Sequence, residues 1–385
     1  MTVMANASPA TGAGTSPVAE YGQVVLVLQG GGALGAYQAG AYQAMHEVGI
    51  EPDWIIGTSI GAINASLIAG NTLENRLNRL REFWERVEHE PLLKIAGSLP
   101  IVGQAAATFL ATATGVRGFF DPNLRAHFGA HVKLGAEDAG YYSTAPLKRT
   151  LSELVDFEQI NNGPTRLTVG AANVQTSAMR YFDSRSETLD VKHVMASGAL
   201  PPAFPAVRIG GELYWDGGIL SNTPVEAVFD DNPRKNSLVF AVHLWNPNGP
   251  EPDSILKVMN RQKDLQYSSR AGTHIARQKQ IHRLRHIIAE LKMRLPAEAL
   301  KDDFVREIAD YGCLTRMHVV RLLAPQVRGE DHARDIDFSP NGIHTRWEAG
   351  YADTKRVLKA EPWKAPVDPI EGLVLHEANA GQMMS

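Results

Sequence analysis

Two short apolar runs, each ending in a glycine-rich turn that opens a helix, limit what this chain can fold into more than any other feature. Val24–Gln29 reads VVLVLQ, nearly continuous, as a strand buried on both faces requires. Gly30, Gly31 and Gly32 follow, and then Leu34, Gln38, Ala41, Met45 and Val48 recur at helical spacing until Gly49 closes the helix. Asp53–Ile56 is a second short strand, followed by another glycine-flanked turn and a small-residue helix through Ala69. This βαβα succession predicts a three-layer α/β/α fold with a mostly parallel central sheet.

The rest of the chain is read around that frame. With 385 residues, 44% of them hydrophobic and 21% charged, it can bury a full core and has roughly two domains' worth of length. A net charge of −4 argues against nucleic acid as the main partner. Cys313 is the only cysteine, which excludes an internal disulfide and a cysteine-built zinc or cluster site, and fits a reducing, cytoplasmic compartment. Residues 1–21 lack the basic start and apolar block of a secretory signal and read as a disordered tail. Ile95–Val116 carries no charge, but Pro100, its glycines and Gln104 make it a poor membrane span. An apolar insertion remains, either a wall or lid of an apolar pocket or an ordinary buried helix pair.

Residues 72–160 read as mostly helical, and strand-like runs return at Arg166–Ala171, Glu212–Trp215 and Leu238–Trp245. The Pro-rich stretch 246–254 is the expected linker between a 22–245 domain and a mainly helical C-terminal region, 255–385. Within that region, 257–294 holds ten Lys or Arg, with Ile281, Leu284, Ile288, Leu291 and Leu295 as an apolar stripe. Such a helix can lie on an anionic membrane surface, or dock its stripe on a core and leave its charges solvated.

Gly30–Gly35 satisfies G-x-G-x-x-G between a strand and a helix, with Glu51 and Asp53 near the spacing of a dinucleotide site's acidic residue. Its amides at a helix start would serve a pyrophosphate or a transient oxyanion equally well. The next turn decides between them. Gly57-Thr58-Ser59-Ile60-Gly61 is G-x-S-x-G between a strand and a helix, the setting that lifts a serine hydroxyl above a sheet. Both turns would emerge at the same carboxyl edge of a parallel sheet, and a dinucleotide site has no use for the second. The pair favours acyl transfer through serine.

A serine nucleophile needs a base. Trp215-Asp216-Gly217-Gly218 ends a short strand and sets a carboxylate beside two glycines, although a D-G-G alone is simply a turn. Thr223-Pro224-Val225-Glu226 reads as a helix start with Thr223 as N-cap and Glu226 completing a capping box.

Taken in order, Gly30–Gly35, Gly57–Gly61 and Asp216–Gly218 resemble the three signature elements of the patatin-like phospholipases, of the bacterial type with an additional C-terminal region. Ala196–Pro205 and Asn222 are similar to that family's surroundings, and the resemblance covers about residues 22–245. It implies a Ser–Asp dyad with Ser59 as nucleophile and Asp216 as base. It further implies an oxyanion hole at Gly30, Gly31, Gly32, Ala33 and Gly35, with Gly57, Gly61, Gly217 and Gly218 as motif glycines. No metal or cofactor enters such a mechanism. One departure is Leu34, where the family usually has Arg; a charge is lost there and the backbone amides remain. The competing Ser…Asp…His order would use His243, which reads better as a core or sheet-end histidine, as His193 also does.

The expected function is therefore lipid acyl hydrolysis, of the phospholipase A, lysophospholipase or carboxylesterase type, on a fatty acyl ester. An acyltransferase using the same serine and a non-catalytic lipid-binding protein are the alternatives.

Overall fold

A computed structural model describes residues 17–88, 115–326 and 333–377. Most of the expected N-terminal tail and nearly all of Ile95–Val116 lie outside those residues. The last part of the expected tail is ordered: Val18 is buried and Ala19–Tyr21 form a 3-10 turn.

The strands in chain order are β1 (Gln23–Leu28), β2 (Trp54–Thr58), β3 (Asp121–Pro122), β4 (Tyr142–Ser143), β5 (Arg166–Asn173), β6 (Met179–Asp183), β7 (Val207–Ile209), β8 (Glu212–Asp216), β9 (Ser237–His243), β10 (Met317–Leu323) and β11 (Leu373–Glu377). Among the described residues one nine-stranded sheet runs β11-β10-β9-β1-β2-β5-β8-β7, with β6 also paired to β5. From β11 to β5 all pairings are parallel, while β6, β8 and β7 join antiparallel. The mostly parallel sheet read from the sequence is present.

Side chains alternate across it. Val24, Leu26, Leu28, Ile55, Leu238, Phe240 and Val242 enter one core, whereas Val25, Val27, Trp54, Ile56, Val239 and Ala241 enter the other. Burial on both faces is why β1 and β9 read as continuous apolar runs. Helices α1 (Ala36–Glu47), α2 (Ile60–Ala69), α3 (Arg76–Arg86), α4 (Ala145–Leu154), α5 (Phe157–Asn162) and α6 (Val191–Ser197) come from the first half. The second half supplies α7 (Glu226–Phe229), α8 (Ile255–Arg294), α9 (Asp303–Ala309) and α10 (Pro340–Ala360). Residues of α1, α2, α3, α4 and α10 fill the first core; α7 and α8 cover the second.

Three expectations are corrected here. The helix start at Thr223 is not formed: α7 begins later, at Glu226, and the Thr223 hydroxyl accepts a hydrogen bond from Gln29 Nε2 at 2.6 Å instead. Residues 115–143 are turns, a 3-10 helix at Leu124–Phe128 and the β3–β4 ribbon rather than helix.

The third correction concerns the C-terminal region. It is mainly helical, yet β10 and β11 extend the central sheet, with Met317 to Leu323 paired along Ser237 to His243. Every residue of β9 is buried, so without β10 a fully buried, mainly apolar strand would become an open edge. The stretch 246–254 therefore joins two parts of one core.

Of the two placements read for the apolar stripe of α8, docking on the core along its length is not found. Leu284 is 60% exposed and Leu291 58%, while the buried face is Asp264, Ser268, Ala271, Ile275, His282, His286 and Ala289. No helix among the described residues is long and apolar enough to cross a membrane.

Helices α1 and α10 pack with their backbones almost touching. A Cβ at Gly350 would lie 1.9 Å from the Tyr37 carbonyl, and one at Gly40 would lie 1.9 Å from that of Trp347. Alanine at a helix interior normally gains about 1 kcal/mol over glycine. Overpacking against backbone costs about 1–3 kcal/mol and should win. Gly350→Ala is thus expected to lower the denaturation midpoint, and an unchanged or raised midpoint would contradict this close docking.

Candidate active site

Strands β1 and β2 are neighbours, so the turns that follow them emerge side by side at one sheet edge. Ser59 occupies the second turn with φ 57° and ψ −126°, a left-handed conformation that lifts its side chain from the sheet into the cleft. The motif glycines permit that turn: a Cβ at Gly57 would lie 2.3 Å from the Gly61 carbonyl, and one at Gly61 would lie 2.2 Å from that of Leu28. The Ser59 N–H donates to Ser197 Oγ at 3.0 Å, and Ser197 in turn donates to the Gly170 carbonyl at 2.6 Å. A buried side chain thus holds the strained residue from below.

Asp216 reaches the same point through the sheet. Thr58 pairs with Gly170 across β2 and β5, and Ala171 pairs with Asp216 across β5 and β8. Two adjacent ladders therefore close a separation of 157 residues. Asp216 lies beside the Ser59 side chain, which favours its charged form, and accepts a hydrogen bond at 2.7 Å from the Gly218 N–H. Burial raises its carboxyl to about 6 from an ordinary 3.8, the Ser59 side chain and the Gly218 N–H offsetting only part of the desolvation.

In the glycine loop, the Gly30 N–H is engaged by the Asn222 carbonyl at 3.1 Å. Gly30, Gly31 and Gly32 line the cleft, whereas Ala33 and Gly35 do not. The amides of Gly31 and Gly32 meet no protein acceptor among the described residues, leaving two donors at the rim of the cleft. Gly35 packs on Ile60, and Leu34 is buried in the core. Gly218 lines the cleft, and Gly217 sits against the Gly170 carbonyl.

The rival arrangements find no support in the geometry. Asp53 precedes β2 and accepts from the Val24 N–H at 2.7 Å, at the sheet edge opposite the glycine loop. Glu51 pairs with Arg76 at 2.7 Å on that same side. His243 does not line the cleft, and burial beside Arg321 lowers it to about 3, so it stays neutral. His193 is a buried capping residue, accepting from the Asp190 N–H at 2.9 Å.

The cleft is polar at Ser59, Asp216, Asn222 and Asp335 and mainly apolar elsewhere. Its wall is an aromatic cluster: Phe119–Phe204 centroids lie 6.2 Å apart, Phe120–Phe204 5.5 Å, Phe120–Tyr142 4.9 Å and Phe119–Phe338 5.5 Å. Ile60, Ile63, Leu200 and Ile336 complete it.

Sequence reasoning missed several of these residues. Phe119 and Phe120 follow the uncharged stretch without any periodic pattern, and Trp245, Tyr267, Ile336 and Phe338 reach the cleft from beyond the recognised motifs. Ser197 lay within the Ala196–Pro205 segment already singled out, but nothing in the sequence pointed to its contact with Ser59.

The chain is similar to several known proteins. A family model described as patatin-like phospholipase matches residues 26–229, and a second, described as patatin phospholipase, matches 265–370. An uncharacterized NTE family protein of Mycobacterium tuberculosis is 28% identical over 212 residues, which are 54% of this chain and 28% of that protein. Lysophospholipase nte1 of Aspergillus terreus is 56% identical over 261 residues, 62% of this chain and 14% of that protein. The chain thus spans less than a third of either relative. VipD from Legionella pneumophila aligns over 88% of this chain and 67% of its own at 16% identity and a TM-score of 0.36, a similarity that carries no argument. The first family model, by contrast, covers more than half of the chain, including both turns, the D-G-G corner and the strands that carry them. The chain belongs to the patatin-like phospholipase family.

Proposed function

We propose that this protein hydrolyses fatty acyl esters of lipids through a Ser59–Asp216 dyad and an acyl-enzyme. The observation that carries this reading is the strained Ser59 beside the buried Asp216 carboxylate in one mainly apolar cleft. Asp216 takes the Ser59 proton as Oγ bonds to the carbonyl carbon. The resulting oxyanion accepts hydrogen bonds from the Gly31 and Gly32 amides. Asp216 then protonates the leaving alcohol as the ester C–O bond breaks. Water, deprotonated by Asp216, attacks the acyl-enzyme and releases the fatty acid and free Ser59. The chemistry needs no metal or cofactor.

The aromatic wall suits an acyl chain, because apolar surface removed from water contributes about 0.8 kcal/mol per buried methylene. Loss of chain contact should therefore affect long substrates far more than short ones. Ala203 lines the wall beside Phe204. Ala203→Trp is expected to lower kcat/KM for a sixteen-carbon p-nitrophenyl ester by about 10-fold or more, with a four-carbon ester changed little. Equal losses on both would place the acyl chain elsewhere.

The direct test is turnover of lipid and p-nitrophenyl esters by the wild type beside Ser59→Ala. Turnover that disappears with the hydroxyl is expected. A folded wild type inert to every ester tested, or a fully active Ser59→Ala, would overturn the reading. Product analysis with an added alcohol distinguishes transfer to that acceptor from hydrolysis.

A further inference from the structure

The peptide joining Gly30 to Gly31 is held from behind. Its carbonyl accepts the indole N–H of Trp245 at 2.8 Å and the Asn222 side-chain amide at 3.1 Å. In a trans peptide the C=O and N–H point in opposite directions, so anchoring the carbonyl turns the Gly31 N–H away from both donors. That N–H has no protein acceptor among the described residues, and Gly31 lines the cleft.

Trp245 is itself gripped by the C-terminal region. The ring of Tyr267, on α8, lies 4.9 Å from the indole, and the Arg334 guanidinium lies 5.1 Å from its centroid. Arg334 forms a buried ion pair with Asp264, also on α8, the two side chains being 8% and 3% exposed. The next residue presses on the loop directly: Gly32 has φ 55°, and a Cβ there would lie 2.1 Å from the Asp335 carbonyl. Ile336 and Phe338, just beyond, line the cleft. A buried pair of this kind stabilises little against an apolar pair of the same shape, and its value lies in fixing one geometry.

We propose that the region beyond residue 255 acts as a clamp on the oxyanion peptide, with Trp245 as the positioning residue through which it acts. The indole N–H sets the Gly30 carbonyl, the carbonyl sets the Gly31 N–H, and that N–H meets the oxygen that gains charge when Ser59 adds to a carbonyl. The proposal rests on the Ser59 reading above and assigns a role to the part of the chain that follows the recognised motifs.

Trp245→Phe keeps the ring and removes only the donor. Losing a direct oxyanion donor costs about 10²–10³ in kcat, so losing a residue that aims one should cost about 10–100-fold, with KM little changed. A long-chain trifluoromethyl ketone gives a second readout. Ser59 Oγ adds to its carbonyl carbon, the proton passes to Asp216, and the ketone oxygen becomes the anion in the cradle. Its affinity should fall by the same factor as kcat/KM, while affinity for the matching secondary alcohol stays constant. Arg334→Met combined with Asp264→Leu, which removes both charges together, should produce a smaller loss of the same kind.

Ketone affinity equal in wild type and Trp245→Phe would overturn the clamp, as would a loss confined to KM. A wild type inert to esters but showing the ketone difference would sink the hydrolase assignment and keep the clamp. If neither wild type nor variant binds the ketone, both fall.

Discussion

Asp216→Asn is expected to abolish turnover and to make the protein more stable. The carboxylate is the base in the proposed mechanism, and losing one member of a unit that acts together costs about 10⁴-fold or more in kcat. The stability change follows from burial. A carboxyl at about 6 in the folded chain and 3.8 otherwise binds its proton more tightly when folded, so its ionisation opposes folding. That penalty is absent below about pH 3.8 and fully developed above about pH 6, where 2.2 pH units correspond to about 3 kcal/mol. Asp216→Asn should therefore raise the unfolding free energy at pH 8 by up to about 3 kcal/mol and by much less at pH 4. A variant destabilised more at pH 8 than at pH 4 would contradict the account of this carboxylate. The same group sets an acid limb: kcat/KM should fall about tenfold per pH unit below about pH 6 and level off above it.

Ser59→Ala should lose as much as Asp216→Asn, and the double variant no more than either alone. The base has no task without the nucleophile, so the two costs do not add. Ser59→Ala also relaxes nothing in the backbone, since Ala at φ 57° is as strained as Ser. Its stability should stay close to that of the wild type, which separates lost chemistry from lost fold. His243→Ala serves as the contrast. His243 is neutral, buried at the end of β9 and absent from the cleft wall, so its removal should spare turnover by comparison. A dead His243→Ala beside an active Asp216→Asn would overturn the dyad assignment.

How much of this could be read from the amino-acid order depended on how local the governing contacts are. Strands β1, β2 and β9 were legible because both their faces are buried, leaving continuous apolar runs. The two glycine turns and the D-G-G corner were legible because close backbone approach allows few residue types. The buried face of α8 was not. It carries Asp264, Ser268, His282 and His286, and two of these find partners far along the chain: Asp264 meets Arg334, and His286 meets the Thr315 and Pro369 carbonyls. Hydropathy assigns such residues to solvent, and only the folded partners reverse the sign. Strand β11 was hidden in the same way. On it His376 pairs with His318 and Glu377 with Arg321, so a charged tail in sequence is a satisfied sheet edge in the fold. The wall of the cleft had no local signature, because Phe119, Phe204 and Phe338 come together from three unrelated segments.

These contacts make the C-terminal region part of the site. Its strands complete the sheet on which β1 depends, α10 backs α1, and residues 334–338 press on the glycine loop and close the cleft. The match of a second family model to 265–370 coincides with this portion.

The dyad is tested most directly by the rate at which a fluorophosphonate labels the protein as a function of pH, with the modified residue located by peptide mass. Labelling confined to Ser59, rising through about pH 6 and collapsing in Asp216→Asn, is the predicted result. Labelling at another residue, or an Asp216→Asn protein that reacts at the wild-type rate, would contradict it.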